Sequence, residues 1–280
     1  MGSITKEEIT EFIEQNVIPE FYRKKTESLS NLQLHRLIKG KNPYLFSIKN
    51  INTPQEFITE VLRAYLSSQE ETFFGSALEQ LAIFICEKVY GGHKAEGLSM
   101  DLYFERDSII YIVSIKSGPN WGNSSQITQM LNHFRTAKRI LGTNNPGSRQ
   151  VIAVNGCCYG RDSRPDKGEY LKLCGQRFWE LISGDNDMYT RIIAPLIEET
   201  NREEIKRKDR EFQDAYAQKV IQLTREFEDE FCTDGKIDWT KLAVFTSSPP
   251  IKVAKTSKPK KARSSSKPKG ARRPKKRLLQ

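Results

Sequence analysis

Apolar residues recur along this chain with two different periods, and the change of period divides it. Over roughly residues 5–70 the spacing is helical. Ile9, Phe12, Ile13 and Val17 fall on one face, as do Leu34, Leu37 and Ile38. Thr53-Pro54-Gln55-Glu56 offers an N-cap, a proline at the first helical position and an acid three residues past the cap. It opens a helix carrying Phe57, Ile58, Val61, Leu62 and Tyr65. A second helix is predicted over about 77–89. Leu78, Leu81, Ala82, Ile83, Phe84, Ile85, Cys86 and Val89 make it apolar nearly all round, which places it in the interior, and Gly91-Gly92 ends it.

The period then drops to two. Leu98–Phe104 and Ile109–Lys116 are short runs rich in β-branched and aromatic residues, and Glu105-Arg106-Asp107-Ser108 between them predicts a hairpin. Side chains alternate along a strand, so Ser114 and Lys116 share one face while Ile115 turns to the other. A loop over 117–123 leads to a helix over about 124–141, and Val151-Ile152-Ala153-Val154 reads as a third, interior strand. Beyond a loop rich in Gly, Asp and Arg, a helix is predicted around Tyr170 to Ile182, containing Phe178 and Trp179. A long charged helix follows from near Pro195 to Phe231. Its stripe of Ile205, Phe212, Tyr216, Val220, Leu223, Phe227 and Phe231 suits packing on the chain's own core, with pairing to a symmetry mate as the alternative. The order predicts an α/β (α+β) fold, a mixed central sheet flanked by helices with N- and C-terminal helical additions. Four regions follow: an N-terminal helical region (1–70), the α/β core (71–195), the long C-terminal helix (196–245) and a basic tail (246–280).

Charge changes this picture only at the end of the chain. The net charge is +10, yet thirteen Lys and Arg and no acid lie between Lys252 and Gln280, so the remainder carries −3. The tail has almost nothing apolar to bury and is expected to be disordered, adding nonspecific, salt-sensitive nucleic-acid contacts. A nuclear address or an RNA-binding arm would have the same composition. Five cysteines form neither a C-x-x-C pair nor a cysteine–histidine cluster, which argues against zinc. Lys6, Glu7 and Glu8 interrupt any secretion signal, and no apolar run approaches the roughly 20 residues that span a bilayer. The expectation is a reduced, soluble protein of the bacterial cytoplasm with no membrane contact.

The chemistry lies in the hairpin. Asp101 stands on its first strand and Lys116 at the end of its second, so an acid and an ammonium converge on one point. Phosphodiester hydrolysis needs a cation to polarise the phosphate and a positive charge to stabilise the transition state. Mg²⁺ keeps several waters, so one or two carboxylates suffice to hold it.

This pattern resembles the PD-(D/E)xK nuclease superfamily, and within it the type II restriction endonucleases. Ser99-Met100-Asp101 stands for the first half of the motif and Ser114-Ile115-Lys116 for the second, with Ser114 at the usual acid position. The resemblance covers roughly Phe74 to Gly184. It implies a restriction-endonuclease-like sheet, and it allows Ser-x-Lys members whose second acid sits on a neighbouring helix. From Ser117 to Arg161 there is no Asp or Glu, so the following helix has only Gln126 and Gln129 to offer. Glu79, on the helix before the hairpin, is the main remaining candidate, and many members of the superfamily place a metal-binding Glu there. Alternatively, Glu79 is the N3 residue of a capping box with Ser76.

These residues assign Asp101 and Glu79 to metal, Lys116 to catalysis, and Ser114 to a water-mediated contact. Mg²⁺ is the expected cofactor, with Mn²⁺ able to substitute, and double-stranded DNA the expected partner of a homodimer. Arg135, Lys138 and Arg139 lie on an acid-free helix suited to phosphate contacts. Asn120, Asn123, Gln126, Arg161 and Arg164 are candidates for base reading. Trp121 and Trp179 read as loop or core anchors. The resulting expectation is a Mg²⁺-dependent type II restriction endonuclease. A repair or mobile-element nuclease of the same fold, and a noncatalytic nucleic-acid-binding protein, are the alternatives.

Overall fold

A computed structural model of the protein describes residues 2–143 and 149–249. The basic tail beyond residue 249 lies outside the described residues. Helix α1 (Lys6–Phe12) runs through a π-helical turn (Ile13–Val17) into α2 (Ile18–Ser30). Two short helices follow, α3 (Leu34–Ile38) and α4 (Pro43–Ile48). Then comes α5 (Pro54–Tyr90), opened by the expected reciprocal cap of Thr53 and Glu56 and closed by Gly91 in the left-handed conformation.

One helix thus replaces the two predicted ones. The polar stretch Ser67-Ser68-Gln69-Glu70-Glu71-Thr72 contains no glycine or proline, so the hydrogen-bond ladder passes through it unbroken. The boundary placed at residue 70 falls inside this helix.

The sheet contains β1 (His93–Ala95), β2 (Met100–Arg106), β3 (Ile109–Lys116), β4 (Val151–Cys157) and β5 (Leu171–Cys174), in that spatial order. The first three strands are antiparallel, and β3, β4 and β5 are parallel. The hairpin is tighter than the sequence suggested. Arg106 pairs with Ile109, and Asp107 and Ser108 alone turn the chain, both with positive φ as a two-residue type I′ turn requires. Helix α6 (Ser124–Thr143) makes the crossover from β3 to β4, as parallel strands demand. The helix predicted from Tyr170 instead begins with edge strand β5, and only α7 (Gln176–Ser183) is helical.

Short helices α8 (Met188–Arg191) and α9 (Ala194–Ile197) precede α10 (Glu199–Phe231). A small hairpin, β6 (Cys232–Thr233) and β7 (Lys236–Ile237), leads into α11 (Trp239–Ser247).

The strand alternation sorts side chains into two layers. Leu102, Phe104, Val113, Ile115 and Val154 pack against α5 and α7 through Ala82, Ile85, Phe178 and Trp179. Ile110, Ile112 and Ala153 pack on the opposite face against Met130, Phe134 and Ala137 of α6. The sheet is therefore covered on both sides, with its mixed strand order and flanking helices as expected. A separate core joins the two ends of the chain. Phe57, Ile58, Val61 and Leu62 of α5 meet Phe212, Val220, Leu223, Phe227 and Phe231 of α10. The stripe on the long helix is thus buried within its own chain, which is the intramolecular arrangement.

Backbone approach is closest where β4 meets α7. A Cβ added at Gly156 would stand 2.3 Å from a ring carbon of Phe178, which is fully buried. Gly156→Ala is expected to destabilise the fold by about 2 kcal/mol through overpacking. That lowers Tm by about 4–8 °C for a chain of this size. Adding Phe178→Leu should restore part of the loss in thermal unfolding, because the clash is with the ring itself.

Candidate active site

Asp101 is the second residue of β2, and its carboxylate is fixed by the neighbouring strand. Oδ2 accepts the Ile115 backbone N–H at 2.7 Å and the Ser114 hydroxyl at 3.3 Å. Ser114 is buried, so in this structure its hydroxyl serves to hold Asp101. Lys116 closes β3. Its Nζ donates to the Ile115 carbonyl at 2.8 Å and lies 3.6 Å from Asp101 Oδ2. The predicted convergence of acid and lysine at the end of the hairpin is present.

Glu79 approaches this end of the hairpin from α5, close enough for the charges of Asp101 and Lys116 to act on it. The helix approaches the end of β3 closely at Gly75, where an added Cβ would stand 3.1 Å from Ser117 Cβ. Residues four apart share a helix face, so Glu79 follows one turn later on the side that this approach presents. Ser76 lies in the helix interior, and its hydroxyl donates to the Thr72 carbonyl at 3.2 Å. The capping-box alternative for Glu79 is thereby excluded.

The Glu79 carboxyl is half-buried, and its pKa is raised above the ordinary value, first by burial and next by the charge of Asp101. Lys94 and Lys116 oppose that shift. Lys94 Nζ stands 3.9 Å from Glu79 Oε1, beyond hydrogen-bond range.

Each carboxylate has one ammonium within ion-pair distance, Lys116 at 3.6 Å from Asp101 and Lys94 at 3.9 Å from Glu79, and neither pair is close enough to be a hydrogen bond. The two carboxylates fit a hard divalent cation. Among the described residues no group of three or more His, Cys, Asp or Glu converges to hold a metal. Two acids with solvent ligands suit Mg²⁺, whereas a closed zinc site needs a fuller protein ligand set.

The family model described as type II restriction endonuclease EcoO109I matches residues 7–204. The chain belongs to that family. No curated protein sequence matches the chain. The matched span includes Glu79, Asp101 and Lys116 and the whole sheet, and it ends early in α10. The sheet and its flanking helices are accordingly a restriction-endonuclease-like fold.

The residues considered for DNA contact have varied surroundings. Asn123 and Gln126 cap α6 reciprocally: Gln126 N–H donates to Asn123 Oδ1 at 3.1 Å, and Asn123 N–H donates to Gln126 Oε1 at 3.0 Å. Arg135 is not a bare cation, because Glu169 from the loop before β5 binds it bidentately at 2.7 and 2.6 Å. Lys138 donates to the Glu169 backbone carbonyl. The helix lacks acids of its own, but a distant residue supplies one. Asn120, Arg139, Arg161 and Arg164 are exposed.

Asn155 is a site residue that the sequence reading passed over. It is 1% exposed on β4, and its Nδ2 donates to the Ser114 carbonyl at 3.2 Å. A polar amide directly after the apolar run Val151–Val154 was the available signal, since a buried amide must find partners.

Because burial and Asp101 raise the Glu79 pKa on folding, ionised Glu79 favours the unfolded chain. The penalty is absent in acid, where the carboxyl is protonated in both states. It grows as pH rises through the ordinary carboxylate range and is complete above the raised value. In metal-free buffer at pH 7.5, Glu79→Gln is expected to raise Tm. The gain should shrink toward zero as pH falls to the carboxylate range. A variant less stable than the parent at pH 7.5 would mean that Lys94 and Lys116 more than compensate the charge.

Proposed function

We propose that this protein is a Mg²⁺-dependent endodeoxyribonuclease that hydrolyses both strands of double-stranded DNA at a specific sequence, as a type II restriction enzyme does. The observation that carries the reading is the pairing of Asp101 with Lys116 at the end of the hairpin, with Glu79 in electrostatic reach of both, in a chain of this family. Asp101 and Glu79 are the residues that would hold the cation, and Mn²⁺ suits the same oxygen donors. When bound, Mg²⁺ supplies Lewis-acid polarisation of the scissile phosphate.

The chain's own groups do the rest. Lys116 places a positive charge beside the carboxylates, where it can orient the attacking water or stabilise charge on the phosphate. Ser114 and the Ile115 N–H hold Asp101 in one rotamer, which keeps the acid at the strand end without rearrangement during turnover. In the net reaction water adds to phosphorus, one P–O ester bond breaks, and the leaving oxygen takes up a proton.

Cutting both strands at a symmetric sequence calls for two such sites, hence a homodimer. The apolar stripe of α10 is committed within the chain, so a dimer would use other surface. Exposed Arg139, Arg161 and Arg164 are candidates for phosphate or base contacts.

Incubation of the purified protein with Mg²⁺ and unmethylated plasmid is expected to give discrete fragments. Lys116→Ala, Asp101→Asn and Glu79→Gln should each reduce cleavage by roughly 100-fold or more while retaining a cooperative unfolding transition. Smeared products would favour a repair or mobile-element nuclease. Binding without cleavage in both Mg²⁺ and Mn²⁺ would favour a noncatalytic nucleic-acid-binding protein.

A further inference from the structure

Lys116 has a third neighbour besides Asp101 and the Ile115 carbonyl. Its Nζ lies 5.2 Å from the centroid of the Trp121 ring, in the loop that leaves β3. An aromatic face attracts an ammonium through its quadrupole, and the attraction strengthens where water is partly excluded. Lys116 is such a case, with its side chain 28% exposed.

The ring is held in place. Trp121 Nε1 donates to Asn155 Oδ1 at 3.0 Å, and the amide of Asn155 donates in turn to the Ser114 carbonyl. Asn155 sits opposite Ser114 in the parallel register of β3 and β4. The amide therefore bridges the loop to the strand that carries Lys116. Both polar ends of this buried side chain are used, so its orientation is fixed by hydrogen bonds rather than by packing alone.

We infer that Asn155 and Trp121 form a positioning clamp for Lys116: the buried amide fixes the indole, and the indole face confines the ammonium beside Asp101. Trp121 is a positioning residue, acting on the reaction only through Lys116. A flexible lysine at the end of a strand would otherwise sample several rotamers, and productive geometry tolerates little displacement. The clamp also explains a polar residue at a fully enclosed position of an interior strand. This inference rests on the nuclease reading for its consequence in catalysis, but the contact itself does not.

Two measurements separate those parts. The chain has three tryptophans, so its indole N–H resonances are few, and Trp121→Phe assigns the one of interest. Lys116→Met is expected to shift the Trp121 indole resonance while leaving those of Trp179 and Trp239 in place. Asn155→Leu should move the Trp121 resonance further, through loss of its acceptor. In DNA cleavage, Trp121→Leu is expected to lower kcat by roughly 10–100-fold with KM within about twofold. Trp121→Phe, which keeps an aromatic face, should recover most of that loss.

An indole resonance unmoved by Lys116→Met would overturn the clamp whatever the activity. Equal kcat in Trp121→Leu and the parent would overturn its role in catalysis. Absence of cleavage by the unmodified protein in Mg²⁺ and Mn²⁺ would instead refute the nuclease reading, leaving the resonance result to decide the contact.

Discussion

The partial burial of Glu79 within electrostatic reach of Asp101, at the end of the hairpin that carries Lys116, is the constraint on which the site depends. Burial first, and the charge of Asp101 next, raise the pKa of Glu79. The backbone holds both acids in place. Asp101 is tied to the adjacent strand by the Ile115 N–H, and Glu79 is carried in by a helix that comes close to the strand end at Gly75. Lys116 pairs with Asp101 at 3.6 Å and Lys94 with Glu79 at 3.9 Å, both beyond hydrogen-bond range. Partial burial of Glu79 near another acid disfavours its charged form, and a divalent cation held by the two acids would offset that cost.

Holding such a site calls for rigid support, and the support comes from far along the chain. Helix α5 both delivers Glu79 and forms half of the second core, where Phe57 stacks on Phe227 with ring centroids 4.8 Å apart. Lys25 of α2 strengthens the same junction. Its ammonium is 3.0 Å from Glu70 of α5 and 4.0 Å from the ring centroid of Phe212 on α10, in a largely buried position. The N-terminal helices and the long helix thus act together on α5, so the position of Glu79 depends on contacts made by residues beyond 200. The family match extends only to residue 204, and the sequence that braces α5 from the other side lies mostly outside it.

What was legible in the sequence was whatever is encoded locally. The alternation in Met100–Arg106 and Ile109–Lys116 defined the hairpin and, through it, the meeting of Asp101 with Lys116. The cap at Thr53 and the stop at Gly91 marked the ends of α5. Its continuity was hidden because a polar stretch resembles a break when read by hydrophobicity, although nothing in it interrupts a helix. Strand β1 has no β-forming composition, and its backbone pairing to β2 creates it. Strand β5 is four residues long and runs almost directly into α7, so the two share one apolar pattern. The bond between Arg135 and Glu169 spans 34 positions, and no local reading of the helix reveals it. Glu79 was reachable by elimination of acids after the hairpin, whereas its raised pKa and its closeness to Asp101 are properties of the assembled fold.

On this reading Asp101 and Glu79 jointly hold a divalent cation. Calorimetric titration of the DNA-free protein with Mg²⁺ at neutral pH addresses it without depending on a recognition sequence. A saturable heat of binding is expected in the parent protein that disappears in both Asp101→Asn and Glu79→Gln, each still folded. Mg²⁺ binding of unchanged strength in the two variants would contradict it.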